Sequence, residues 1–177
     1  MDTKLLQVEF LGNSIQDYAW FLGAIIVGLL FKKLISRYLS RLLYKLVGKK
    51  DSIVGADKFN ELLSKPIGLF IMLSIIYLGA SHIEYPSSWS LADEDEFGLK
   101  MVINKGYSLI YVVSVFWILL KVIDFIGLIL FAKAEKTENK MDDQLIPFII
   151  EIAKILTYVF ALFIIMGNVF DVNITAL

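Results

Sequence analysis

The 177-residue sequence has no cysteine, one histidine and only three prolines. Without cysteine it cannot form disulfide frameworks, thiolate zinc sites or cysteine nucleophiles, and a single histidine leaves little for His-based catalysis. Most enzyme classes depend on one of these groups, so we predict that the protein is not an enzyme and has no cofactor. The formal net charge of -1 gives no overall field for nucleic acid, which is therefore not an expected partner.

Apolar residues make up 58% of the chain, whereas a soluble domain usually has ~45–50%. A helix needs ~20 apolar residues to cross ~30 Å of hydrocarbon, and four segments meet this requirement. Continuous apolar runs favour helices over a membrane barrel, which would show ~10-residue segments of alternating polarity. We predict an all-α membrane protein with transmembrane helices at residues 18–47, 66–83, 107–131 and 145–170.

The first two predicted helices each have a distinctive sequence feature. The first has a basic, amphipathic second half, and Pro66 occupies the first turn of the second, where a missing N–H is tolerated. The remaining segments are an N-terminal segment at 1–17, a basic connection at 48–65, an acidic loop at 84–106, a charged linker at 132–144 and a final turn at 171–177.

Basic residues concentrate in two of these connections. Nine lie between Phe31 and Pro66, and three more follow the third predicted helix. Only Lys4, Lys100 and Lys105 fall on the other side. Lys and Arg near the ends of spans are retained in the cytoplasm. We therefore predict a cytoplasmic position for both basic connections and an external one for the N-terminus, the acidic loop and the final turn.

A basic stripe runs along the second half of the first predicted helix. Lys33, Arg37, Arg41 and Lys45 recur every four positions and therefore share one helical face. An ordinary positive-inside anchor is the simpler interpretation of this stripe, and specific binding of anionic lipid head groups, at ~1 kcal/mol per cation, is the other. The candidate inner-leaflet lipid contacts are Lys32, Lys33, Arg37, Arg41 and Lys45.

Four ionisable residues fall inside the third and fourth predicted helices: Lys121, Asp124, Glu151 and Lys154. Such residues cost from ~2.5 kcal/mol upward at membrane depth, so we expect them to pair. A rise of ~1.5 Å per residue puts Lys121 and Glu151 at matching depths, which predicts a bridge between them. Asp124 and Lys154 can also pair within their own helices, at i+3. We predict a structural role for this cluster rather than an ion pathway.

The C-terminal part of the sequence carries a more specific pattern. A charged linker, KAEKTENK, leads to MDDQL, one apolar span and the closing segment GNVFDVNITAL. Over about residues 107–177 this arrangement resembles the small-conductance mechanosensitive (MscS-like) channel superfamily of bacteria, in which an acidic pair opens the helix before the pore. The positions that match the family motif are Asp142, Asp143, Gly167, Asn173 and Thr175.

The resemblance implies that the third and fourth helices form an antiparallel, lipid-facing sensor paddle and that the first two are peripheral. It further implies a multi-pass protein of the bacterial inner (cell) membrane, assembled as a homo-oligomer, heptameric by likeness, in contact with membrane lipids. Such a channel opens under bilayer tension and releases ions and small osmolytes in hypoosmotic stress.

The family's Gly/Ala-rich pore helix and cytoplasmic domain would follow Leu177, so the likeness concerns the sensor portion alone. We expect either a longer protein of which this chain is a part or a natural short form of the paddle. The alternative function is a non-conducting four-helix membrane scaffold or accessory subunit.

Overall fold

The computed structural model describes residues 8–47, 54–86, 89, 91–92, 96–135 and 142–173. Over this part, four helices are long and apolar enough to cross a membrane, and the one sheet is a two-stranded hairpin, which confirms the predicted all-α, multi-pass membrane architecture. The elements are β1 (Glu9–Phe10), β2 (Asn13–Ser14), α1 (Ile15–Val47), α2 (Ala56–Ala80), α3 (Leu99–Ala134) and α4 (Asp142–Ile164), which continues as a π-helical segment (Ile165–Val169).

The helices run alternately in opposite directions, and α1 packs on α2, α2 on α3 and α3 on α4. The C-terminal ends of α1 and α3 lie beside the N-terminal ends of α2 and α4, and we call this the basic end. The opposite end carries β1 and β2 and is called the hairpin end. Parts of the predicted segments 1–17, 48–65, 84–106, 132–144 and 171–177 fall outside the described residues.

The hairpin end is organised by a tight turn. Leu11 and Gly12 both have positive φ, at 51° and 82°, which is the backbone of a two-residue hairpin whose twist matches its strands. The Asn13 amide donates to the Glu84 carbonyl at 2.8 Å, and the Glu84 N–H donates to Asn13 Oδ1 at 2.7 Å. These two bonds fasten the hairpin to the segment that follows α2.

Helix α1 begins three residues before the predicted start because a capping box stabilises its first turn. The Ser14 N–H donates to the Asp17 carboxylate at 2.9 Å, and the Asp17 N–H donates to Ser14 Oγ at 3.2 Å. Each side chain therefore satisfies a backbone donor that the helix start would leave free.

Helix α2 begins at Ala56, ten residues before the predicted start at Pro66, and Pro66 lies inside the helix. The reason is a buried stripe in which apolar side chains recur every four residues and pack against α1 and α3. Burying this stripe favours helix through the polar stretch before the proline. Its members are Phe59, Leu63, Ile67 and Ile71.

The largest buried cluster lies at the basic end, between α1, α2 and α3. Phe59 and Phe125 are fully buried, and their ring centroids are 4.6 Å apart in an edge-on arrangement. Tyr44 of α1 completes the aromatic group at 5.6 Å from Phe59 and 5.9 Å from Phe125. Three helices are thus joined by a packed core at this end, without α4.

Candidate functional site

Helices α3 and α4 approach closely where Gly127 faces Ile150. A Cβ on Gly127 would lie 3.3 Å from Ile150 Cγ1, so the glycine permits this approach. Asp124 lies one turn before Gly127, and Lys154 lies one turn after Ile150, so antiparallel packing brings the two charges together. The Asp124 carboxylate is 2.5 Å from Lys154 Nζ and accepts a hydrogen bond from Lys121 Nζ at 2.7 Å. We call this three-residue group the inner clamp.

The predicted Lys121–Glu151 bridge is wrong. Lys121 pairs with Asp124 on its own helix, as the i+3 spacing predicted, and Glu151 is exposed, with no ion pair to any described residue. The two residues differ both in height and in rotation about the helix axes. Since Gly127 faces Ile150, Glu151 lies level with Ile126, about 7.5 Å along α3 from Lys121. Glu151 lies about 100° around α4 from Ile150, whereas Lys154 lies on the same face as Ile150.

A second ion pair joins the same two helices at the hairpin end. Lys105 Nζ of α3 lies 2.9 Å from the carboxylate of Asp171, which follows the π-helical segment. Asp171 has a φ of 55°, and this left-handed residue lets the Val172 N–H donate back to the Met166 carbonyl at 2.9 Å. We call the Lys105–Asp171 pair the outer clamp. The sequence did not indicate this pair, because Lys105 lies outside the predicted third helix, 107–131.

The family-motif positions lie at the two ends of α4. Asp142 and Asp143 begin the helix, and their side chains lie outside what the structure describes. Gly167 lies within the π-helical segment, so the chain remains helical past this glycine to Val169. Asn173 follows in an exposed position, and Thr175 lies outside the described residues.

At the basic end, a crevice of about 650 Å³ opens between α1 and α2, with Trp117 of α3 on its wall. Its polar part holds the cations Lys32, Lys33, Arg37 and Lys65, and its apolar part holds Gly68, Leu69, Met72 and Trp117. The Ser36 hydroxyl of α1 donates to the Ser64 carbonyl of α2 at 3.1 Å. This hydrogen bond joins the two helices that form the walls of the crevice.

The crevice contains three of the five predicted lipid contacts. Lys32, Lys33 and Arg37 line it, whereas Arg41 and Lys45 lie further along α1 and are exposed without lining it. Lys65 is not among the predicted lipid contacts, because the sequence places it in the basic connection at 48–65, directly before Pro66. The four-residue spacing from Phe59 to Ile71 was the signal for the longer helix.

Among the described residues, no three His, Cys, Asp or Glu side chains converge to hold a metal ion. The chemistry of the site is therefore that of cations, one shared carboxylate and exposed apolar surface. Comparison of the chain with family models, curated proteins and solved structures found no match.

Proposed function

We propose that this chain is the membrane-sensor region of a mechanosensitive channel that opens under bilayer tension to release ions and small osmolytes in hypoosmotic stress. The packing of α4 carries the proposal. The apolar window of this helix has no buried residue, although it packs along α3. So much exposed apolar surface requires lipid or another subunit as its neighbour. The resemblance of about residues 107–177 to the MscS-like superfamily supports the same assignment.

Tension acts on such a protein as mechanical work, equal to the tension multiplied by the change in membrane area. A state that occupies more area, or that binds lipid differently, is therefore favoured when the bilayer is stretched. Tilting a long helix changes both its projected area and its hydrophobic match, at fractions of a kcal/mol per Å. The 36 residues of α3 extend about 54 Å, more than a bilayer core of ~30 Å.

The two clamps allow α3 and α4 to move together. The inner clamp joins them near the basic end, and the outer clamp joins them near the hairpin end. A pair of helices connected at both ends tilts as one unit, which is the mechanical requirement for a sensor paddle. The core at the basic end includes Phe125 of α3, so in this proposal the paddle pivots about that end of α3.

In this proposal the protein is a homo-oligomer, heptameric by family likeness, of the bacterial inner membrane. The basic end faces the cytoplasm and the N-terminus is external, which the positive-inside distribution of Lys and Arg supports. A non-conducting scaffold or accessory subunit is the second candidate. The packed core at the basic end favours it, because that core is complete without α4.

Patch recording under suction, on membranes that contain the complete gene product, tests the proposal. We expect a tension-activated current whose threshold shifts in Asp124→Asn, because Lys121 and Lys154 then lose the carboxylate that both of them contact and the connection between α3 and α4 weakens. Glu135→Gln, which removes one exposed carboxylate directly after α3 and outside the predicted spans, is the matched control and should leave the threshold unchanged.

Absence of any tension-activated current in the wild-type protein would favour the scaffold. Equal thresholds in Asp124→Asn and wild type would show that the inner clamp takes no part in gating.

A further inference from the structure

We infer that the crevice between α1 and α2 binds an anionic phospholipid of the adjoining leaflet, with its phosphate among Lys32, Lys33, Arg37 and Lys65. The apolar wall of the same crevice takes the first part of an acyl chain. This inference is independent of channel activity and needs only the membrane position of the four helices.

The charge of the crevice is not neutralised by the protein. Within the described part of the chain, none of its four cations forms an ion pair. The one carboxylate on the lining, Glu61, lies 2.9 Å from Lys58, which is outside the crevice. Four uncompensated cations repel one another, and a bound phosphate relieves that repulsion. Arg37 can donate two parallel hydrogen bonds to phosphate oxygens.

The position of the crevice along the helices matches the boundary of the hydrocarbon. The uncharged run of α1 ends at Phe31, directly before Lys32, and the uncharged run of α2 begins directly after Lys65. The cations therefore lie at head-group level. The apolar wall lies further into the span, which is the polarity gradient of a phospholipid. A free phosphate ion would leave this wall without a role.

The net charge of the crevice indicates the kind of head group. A glycerol head group is uncharged and leaves the lipid with the net negative charge of its phosphate. A choline head group adds a positive charge, which the four cations of the crevice repel. Phosphatidylglycerol therefore fits this site better than phosphatidylcholine.

Native mass spectrometry of the protein released from nanodiscs of defined composition tests the site. We expect wild-type protein to retain phosphatidylglycerol in preference to phosphatidylcholine. Arg37→Gln together with Lys65→Gln should weaken retention of phosphatidylglycerol about 25-fold, at about five-fold per charge near the surface. Arg41→Gln with Lys45→Gln removes the same number of charges from outside the crevice and should weaken retention clearly less, because these two side chains do not line it.

A second variant changes the apolar wall and leaves every charge in place. A Cβ on Gly68 would meet no atom within 4 Å, so the position opens into the crevice. Gly68→Leu adds an apolar side chain to the crevice wall, starting from this open position, and should weaken retention of the intact lipid. Binding of glycerol phosphate, which has the head group without acyl chains, should be weak in wild type and unaffected by this variant.

Three outcomes would overturn the inference. Equal retention of phosphatidylglycerol and phosphatidylcholine by the wild type would exclude anionic selectivity. If the crevice variant (Arg37→Gln with Lys65→Gln) and the control variant (Arg41→Gln with Lys45→Gln) lost equal amounts of phosphatidylglycerol retention, the lipid would be attracted by the whole basic surface and not by the crevice. Glycerol phosphate that binds as tightly as the intact lipid would identify a site for a soluble phosphate instead.

Discussion

Phe59 of α2 and Phe125 of α3 are fully buried at the basic end, whereas Phe148 and Phe160 of α4 are 60% and 61% exposed. All four are the same residue type, and all lie in helices apolar enough to cross a membrane. The difference lies in the neighbours. Phe59 and Phe125 pack between three helices, while α4 contacts the rest of the protein mainly through α3. Hydropathy therefore identifies a span without telling whether protein or lipid surrounds it.

The two regions also obtain their stability in different ways. The core at the basic end depends on ring packing and on apolar side chains that exclude water. The hairpin of α3 and α4 depends on one close approach at Gly127 and on ion pairs near both of its ends. Each of the following substitutions acts on one side of this contrast.

The largest expected effect is on the core. Phe59→Ala removes a ring that contacts both Tyr44 and Phe125, and such truncations cost about 3–5 kcal/mol because a cavity remains. Phe160→Ala on α4 should cost less than about 0.5 kcal/mol in detergent, which replaces lipid around an exposed ring. Thermal unfolding of both variants in the same detergent measures the difference. Comparable losses of stability would mean that α4 is covered by protein.

The same contrast explains what the sequence could predict. Four continuous apolar runs identified the helices, because crossing hydrocarbon sets a minimum length and polarity that the sequence must satisfy. The predicted start of α2 at Pro66 is wrong by ten residues, because a proline does not end the helix here and buried Phe59 and Leu63 belong to the turns before it. A hydropathy run marks the part of a helix that crosses the membrane and not the part that continues into water.

The ion pairs show a second limit. Counting the rise per residue from the predicted ends of the spans gave Lys121 and Glu151 the same depth, but in the packed helices they lie about 7.5 Å apart along the axes, and the pair does not form. A depth counted from the end of a span depends on one helix at a time, whereas a contact depends on how two helices are shifted and rotated against each other. That shift and rotation are set by Gly127 against Ile150, a contact that no single segment of sequence specifies.

A smaller effect is expected where α1 crosses α2. A Cβ on Gly28 would lie 2.9 Å from Ile75 Cγ2 and Cδ1, and a β-branched side chain in a helix has little freedom to move away. Gly28→Ala should therefore cost about 1–3 kcal/mol of stability. A Cβ on Gly23, in the same helix, would meet nothing within 4 Å, so Gly23→Ala should be neutral or stabilising by up to about 1 kcal/mol. Similar changes in the two unfolding midpoints would contradict the close crossing.

The smallest effect is expected at the outer clamp, where the side chains of Lys105 and Asp171 are 29% and 74% exposed. An ion pair in contact with water contributes about 0.2–1 kcal/mol and weakens as salt screens it. A double-mutant cycle of Lys105→Gln and Asp171→Asn should measure a coupling in this range that is lost at about 1 M salt, and asparagine preserves the left-handed backbone at position 171.

The same cycle on Asp124 and Lys154, whose side chains are 24% and 33% exposed, should give a larger coupling that persists in salt. This order follows from burial and from shared pairing, because the Asp124 carboxylate is less exposed than that of Asp171 and also accepts a hydrogen bond from Lys121. The hairpin of α3 and α4 is then held more firmly near the basic end than near the hairpin end. Equal, salt-resistant couplings at the two clamps would contradict this asymmetry.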